Sequence, residues 1–215
     1  MQFALKRVFD ILFALFCSIF AIPLTLIAML VIHICSPESP VIFKQKRVGY
    51  RNKQFTIYKL RTMTNEKDES GNLLSDELRL KTWGKIIRKL SIDELPQIIN
   101  IFAWQMSFIG PRPLLPEEMQ VMTAAEQAER QSVLPGITGW EAVNEEKSDS
   151  RREMAMFDLY YVRNFSIALD LKIFLLTAKK LFIADRSDDA HRAPKLKYEE
   201  IITENAKEEV YEQLV

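Results

Sequence analysis

The chain changes character sharply along its length. From Ile11 to Ile32 it reads ILFALFCSIFAIPLTLIAMLVI, with no charged side chain. A helix of that length covers roughly 30 Å, the hydrocarbon thickness of a bilayer. The run is too long for a cleavable signal peptide and lacks a small-residue cleavage site. Pro23 falls halfway along it, where it removes one backbone hydrogen bond and crowds the preceding turn. Lys6 and Arg7 flank the run on one side, and Lys44, Lys46, Arg47, Arg51 and Lys53 on the other. Positive flanks prefer the cytoplasmic side. Two readings follow: a spanning helix, or a helix that bends at Pro23 and returns, with hydroxyls such as Ser18 or Thr25 serving the opened backbone. Both put the polar remainder of the chain in the cytoplasm.

That remainder alternates between short patterns. In residues 41–63, VIFKQKRVGYRNKQFTIYKLRTM, an apolar-polar alternation punctuated by Gly49 and Asn52 predicts a hairpin. Residues 65–77 are polar with Gly71 and predict a loop. Leu80, Trp83, Ile87 and Leu90 predict a basic helix over 78–90. Leu95, Ile98, Ile99 and Phe102 predict another beginning near Ser91. GPRPLLP (110–116) and LPGITGW (134–140) read as rigid connectors. Residues 166–183, SIALDLKIFLLTAKKLFI, predict a helix suited either to a membrane interface or to a core. The fold class expected is α+β, mostly helical, on a membrane foot.

Composition narrows the chemistry. The 29 basic and 29 acidic side chains of the 215 residues cancel, so there is no global field to attract nucleic acid. Cys17 and Cys35, at the apolar run, form no disulfide framework, and two histidines leave little room for a His-based triad or zinc site. Six scattered glycines make neither a P-loop nor a dinucleotide loop.

What remains is LSIDELPQIIN, residues 90–100, with Asp93 beside Glu94. Ser91 and Glu94 have the S-x-x-E form of a capping box, in which Ser91 caps and Glu94 returns to its N–H. Alternatively Pro96 opens the helix and both acids sit on the loop before it. Isolated cations occur elsewhere in structured text: Lys59, Arg61, Arg88, and Arg112 between Pro111 and Pro113. Each singly reads as a solubilising or lipid-attracting charge. Together with a carboxylate pair on a membrane-bound domain they suggest phosphate chemistry, in which an Asp attacks phosphorus and a divalent ion neutralises charge.

Several segments carry a family resemblance: KRVFDI, PVIFKQKRVG, FTIYKLRTM, LSDELRLKTWGKIIRKLSIDELPQIINI, MSFIGPRPLL, PGITGW and DLYYVRNFSIALDLKI. In order, from about residue 5 to 183, they resemble the small monotopic phosphoglycosyl transferases of the bacterial sugar transferase family. The resemblance implies a re-entrant membrane helix broken at Pro23 (residues 1–36), a catalytic domain with a short hairpin and interfacial amphipathic helices (37–183), and a polar tail (184–215). It implies transfer of a phosphosugar from a UDP-sugar to polyprenyl (undecaprenyl) phosphate with release of UMP. Asp93 is the implied nucleophile and magnesium ligand, and Glu94 its acid/base partner. Lys59, Arg88, Arg112 and Asp158 are implied to line the substrate site. The cofactor implied is Mg²⁺. The place implied is the cytoplasmic face of the bacterial inner membrane, inserted in one leaflet, with membrane lipids as partners and a second copy of the chain as a further candidate. The short architecture resembles enzymes that use N-acetylated, diamino-trideoxy donors; hexose donors are the alternative.

The sequence departs from the family pattern in two places. Ile22 precedes Pro23 where serine is common, and residues 141–150 read EAVNEEKSDS where the family usually has AQVNGRN. The second departure motivates a rival reading, a catalytically silent member that serves as membrane-bound partner of another transferase.

Overall fold

A computed structural model describes residues 2–144 and 150–183. Glu145, Glu146 and the tail from residue 184 lie outside the described residues. Eight α-helices and four short strands are present among those described. In chain order they are α1 (Gln2–Cys35), β1 (Ile42–Val48), β2 (Gln54–Leu60), α2 (Asp76–Arg79), α3 (Thr82–Lys89), α4 (Ile98–Phe102), β3 (Ser107–Ile109), α5 (Ala124–Arg130), β4 (Gly136–Thr138), α6 (Trp140–Asn144), α7 (Arg151–Arg163) and α8 (Ile167–Ile183). Among the described residues they group into two compact units: Phe3–Lys46 with Thr56–Gln105, and Arg47–Phe55 with residues from Met106 to Ile183.

In the first unit α1 is one helix, and Pro23 lies inside it. The interruption expected at Pro23 is therefore not a gap in the helix. The hydroxyl of Ser18 is spent locally, donating to the carbonyl of Ala14 at 2.7 Å. Most of α1 is exposed and apolar; only 17% of its most apolar window is buried. One stripe is covered: Arg7, Asp10, Ala14, Ala21, Ala28 and Ile32. Near its end Ala28 and Ile32 join Leu60, Ile87 and Ile92 in a core cluster flanked by Met29, Val41, Trp83 and Leu95. Near its start Arg7 donates to the carbonyl of Ile101, with its guanidinium 4.4 Å from the Trp104 ring centre.

The predicted hairpin is β1 with β2. Its turn uses Arg51 (φ 54°) and Asn52 (φ 59°) in the left-handed region. Gly49 serves space rather than φ, because a Cβ there would lie 2.8 Å from the Phe55 ring. The helix expected over 78–90 divides into α2 and α3. Gly84 lets α3 lie on the chain beside it, since a Cβ would come within 2.0 Å of the Thr62 carbonyl.

In the second unit β3 directly precedes one segment expected to be a connector (110–116), β4 lies inside the other (134–140), and the two strands pair in parallel. β3 and β4 align Ser107 with Gly136 and Ile109 with Thr138. Glycines permit the approach: a Cβ on Gly110 would sit 2.3 Å from the Leu134 carbonyl, one on Gly136 2.2 Å from the Gly110 nitrogen, and one on Gly139 2.3 Å from the Gly110 carbonyl. A core of Ile109, Val133, Tyr161 and Ile173 sits here. A second cluster gathers Val48, Leu114, Met119, Val121, Met122 and Ala155. The predicted helix over 166–183 is α8. Ile173 is fully buried, whereas Ile167, Leu171, Phe174 and Leu175 make an apolar stripe of which Leu175 is 59% exposed.

Candidate active site

The carboxylate pair lies in a 3₁₀ turn, Ile92–Gln97, wedged between α3 and α4. The capping box expected at Ser91 is not made. Ser91 has φ 53° and ψ 25° and forms no side-chain cap hydrogen bond, whereas an N-cap residue needs extended backbone to aim its oxygen at the third N–H. Its role belongs to the preceding helix instead. Ser91 follows Leu90, the C-cap of α3, and its N–H donates to the Arg88 carbonyl at 2.9 Å, half of the left-handed helix-terminating arrangement. Pro96 neither opens the turn nor breaks it; it sits inside.

The two acids have different surroundings. Asp93 is 7% exposed. Glu94 is more open, and its Oε1 accepts from Lys59 Nζ at 2.6 Å, with 31% and 24% of the two side chains exposed. Lys59 projects from β2, so an alternating strand delivers the cation that engages the acid. Arg88, in the last turn of α3, donates from Nε to the Thr62 hydroxyl at 2.7 Å; Thr62 is 4% exposed. Of the predicted site residues, the first unit thus brings together Lys59 and Glu94, with Asp93 adjacent in the turn and Arg88 one helix end away. Arg61 is turned to another use, donating to the Pro40 carbonyl at 2.8 Å and to Asn65 at 3.1 Å.

Arg112 and Asp158 belong to the second unit. Arg112 is exposed, between the buried prolines 111 and 113. Asp158, on α7, is 2% exposed. It accepts from Arg130 Nε at 3.0 Å and Nη2 at 2.5 Å. Burial pushes its carboxyl above the ordinary value, while the Arg130 guanidinium and the main-chain N–H of Arg112 pull it down. Buried charge needs such pairing, since an uncompensated ion would be costly. Sequence reasoning missed Arg130 and Thr62. Nothing in AAEQAER marks an arginine that is fully buried. Glu141, in the atypical 141–150 stretch, is 3% exposed within α6.

Chemically, the 3₁₀ turn offers one buried carboxylate and one carboxylate held by an ammonium. No cluster of three metal-binding side chains occurs among the described residues. That donor set suits Mg²⁺, which is usually held by one or two carboxylates together with substrate phosphate and water.

The family model described as bacterial sugar transferase matches residues 1–184. An uncharacterized sugar transferase, EpsL, of Bacillus subtilis is 47% identical over 84% of this chain and 89% of its own length. Undecaprenyl-phosphate glucose phosphotransferase of Komagataeibacter xylinus is 36% identical, over 81% of this chain and 35% of that protein. A UDP-N-acetylgalactosamine-undecaprenyl-phosphate N-acetylgalactosaminephosphotransferase of Aeromonas hydrophila is 37% identical, over 82% of this chain and 43% of that protein. The chain therefore spans less than half the length of these two relatives, whose names state an activity.

Proposed function

The chain belongs to the bacterial sugar transferase family, and on that premise we propose that it transfers a phosphosugar from a UDP-sugar to polyprenyl (undecaprenyl) phosphate. The observation that carries this reading is the adjacent pair of a buried Asp93 and a Lys59-engaged Glu94 in one 3₁₀ turn. Relatives whose names state glucose or N-acetylgalactosamine transfer to undecaprenyl phosphate support the donor and acceptor classes.

In the first step a carboxylate oxygen of Asp93 attacks the phosphorus that bears the sugar. The bond from that phosphorus to the bridging oxygen breaks, and UMP leaves with the electron pair. In the second step an oxygen of polyprenyl phosphate attacks the same phosphorus, and the Asp93 oxygen leaves as carboxylate. Glu94 takes the proton of the acceptor phosphate, and Lys59, bonded to it at 2.6 Å, holds it oriented for that task. Arg88 and Arg112 bind diphosphate oxygens. Asp93 together with substrate phosphates would hold Mg²⁺, which when bound supplies charge neutralisation. Taking the two polyanions in turn spares the site from holding both together.

The membrane foot is read as re-entrant, entering one leaflet from the cytoplasmic face of the inner membrane. Arg7 and Ile32 lie about 38 Å apart along a straight helix, more than the roughly 30 Å of hydrocarbon. Yet both ends of α1 meet the same segment, 83–104, which carries Lys85, Arg88, Lys89, Asp93 and Glu94. Such a charged segment does not cross a bilayer beside a spanning helix. A helix that bends at Pro23 and keeps both ends on one face agrees with these contacts. The exposed apolar stripe of α8 supports an interfacial position for that helix.

Relatives named for glucose and for N-acetylgalactosamine leave the sugar open, and we take an N-acetylated donor, diamino-trideoxy sugars included, as the first to test. The experiment is UMP release from a panel of UDP-sugars with short polyprenyl phosphate and Mg²⁺. Donor alone should add the mass of one phosphosugar to the native chain and nothing to Asp93→Asn. Native-like turnover in Asp93→Asn would remove Asp93 from the nucleophile's role.

A further inference from the structure

We propose that Arg130, anchored by Asp158, is a positioning residue for Arg112 that holds its main chain at the carbonyl. The proposal rests on the reading of Arg112 as a diphosphate-binding residue for its consequence, though not for its geometry. Arg130 closes α5 and is fully buried. Its fork serves two partners at once: Nε and Nη2 bind Asp158, and Nη2 also donates to the Arg112 carbonyl at 2.5 Å. Asp158 in turn faces the Arg112 main-chain N–H. Asp158 is 2% exposed and its Oδ2 is taken by Arg130, which suits a residue that acts on Arg112 rather than on substrate.

The rest of the loop is held in the same way. The Pro111 carbonyl accepts from Gly136 N–H at 2.9 Å, and the Leu114 carbonyl from Val48 N–H at 2.9 Å. The Pro113 carbonyl accepts from Arg47 at 3.2 Å, and Leu115 N–H donates to Glu118 at 2.8 Å. Prolines on both sides fix φ and have no N–H to satisfy. From 111 to 115 the backbone is largely committed, and the exposed part of the loop's centre is the Arg112 side chain. A cation on so fixed a base loses little freedom on meeting an anion. Arg130 is the member of this set that touches both Arg112 and its acidic partner. Lysine is a poor substitute, because one ammonium on a flexible stem does not reproduce a planar fork with several donors.

The test uses the full chain in detergent or nanodiscs, with UDP and Mg²⁺ as probe. Hydrogen exchange at the Arg112 amide reads the positioning directly, and the dissociation constant for UDP reads its consequence. Arg130→Lys should expose the Arg112 amide to exchange and weaken UDP about tenfold. Arg112→Ala should weaken UDP by a similar factor, and the double variant should be no weaker than Arg112→Ala. Should Arg130→Lys fail to fold, Arg130→Met with Asp158→Leu removes both charges together, a replacement buried ion pairs tolerate; it should melt near the native temperature yet lose the same tenfold. An unchanged Arg112 amide in folded Arg130 variants overturns the proposal, as do additive losses in the double variant. An exposed amide combined with native UDP binding by Arg112→Ala leaves the positioning standing and overturns the diphosphate role of Arg112.

Discussion

Two stretches of this chain share one four-residue signature and use it in opposite ways. Thr123 and Glu126 form a complete capping box: the threonine hydroxyl accepts from Glu126 N–H, and the glutamate reaches back to Thr123 N–H at 2.8 Å. Ser91 and Glu94 have the same S/T-x-x-E spacing and make no box. The difference lies in the residue before the first turn. Thr123 is extended, at φ −62° and ψ 160°; Ser91 is left-handed because α3 ends there. Released from capping, Glu94 engages Lys59 instead. A four-letter motif therefore reports that a helix start is possible, and the neighbouring helix end decides what its acid is used for.

The comparison predicts that the acids at 93–94 matter for turnover, and the acid at 126 for stability. The largest effect belongs to Asp93→Asn. Loss of a covalent nucleophile should cut UMP release by about 10⁴-fold or more, as such residues do elsewhere, while the melting temperature changes far less. A large fall in melting temperature together with retained turnover per folded molecule would make 93–94 a structural pair like 123–126. Next comes Glu94→Gln, where loss of acid/base assistance should cost about 10²–10⁴-fold in rate. Its effect on stability should stay within about 1 kcal/mol, because a partly exposed Lys59 pair is worth no more. Rate and melting curves of the two variants, measured together, decide the matter.

How far the sequence alone revealed these regions follows from the same physics. The hairpin was legible because alternation in a half-buried strand has a fixed period, and it carried Lys59 with it. α8 was legible from its length and apolar content. The division of 78–102 into α2, α3, the 3₁₀ turn and α4 was not, since apolar spacing is continuous across Ser91 and nothing local marks a left-handed serine. The β3–β4 pair was missed because three-residue strands have no period, and Gly110, Gly136 and Gly139 look like turn residues until their backbones are seen to touch. Arg130 was illegible: an arginine in a polar helix reads as solvated, and only the distant Asp158 makes its burial tolerable. Asp93 and Glu94 stood out by resemblance. Their different surroundings, one buried and one held by an ammonium, required the fold.

A smaller effect separates the two caps themselves. Thr123→Ala should cost about 1 kcal/mol, the usual value of a lost N-cap. Ser91→Ala should cost almost nothing by that route, and Ser91→Gly should stabilise by about 1 kcal/mol, since glycine relieves the left-handed backbone. Thermal or chemical unfolding of the three variants is sufficient. A loss in Ser91→Ala equal to that in Thr123→Ala would mean that Ser91 caps after all.

The smallest effect isolates charge within the box that does form. The Arg152 guanidinium, bonded to both oxygens of Glu126 at 2.8 Å, holds the Glu126 carboxyl down to about 2, with the Thr123 N–H and hydroxyl assisting. A carboxylate depressed on folding contributes stability above its unfolded value near 4.5 and loses it as pH falls toward about 2. Glu126→Gln keeps the box, because glutamine also returns to the cap N–H, and removes only the charge. The native chain should therefore exceed Glu126→Gln in stability at neutral pH by less than about 1 kcal/mol, the range of an ion pair near the surface. The two curves should converge as pH is lowered from 4.5 to about 2. Curves that stay parallel across that window would place the value of the Glu126 contact in the geometry of its box, as for an uncharged cap, rather than in its charge.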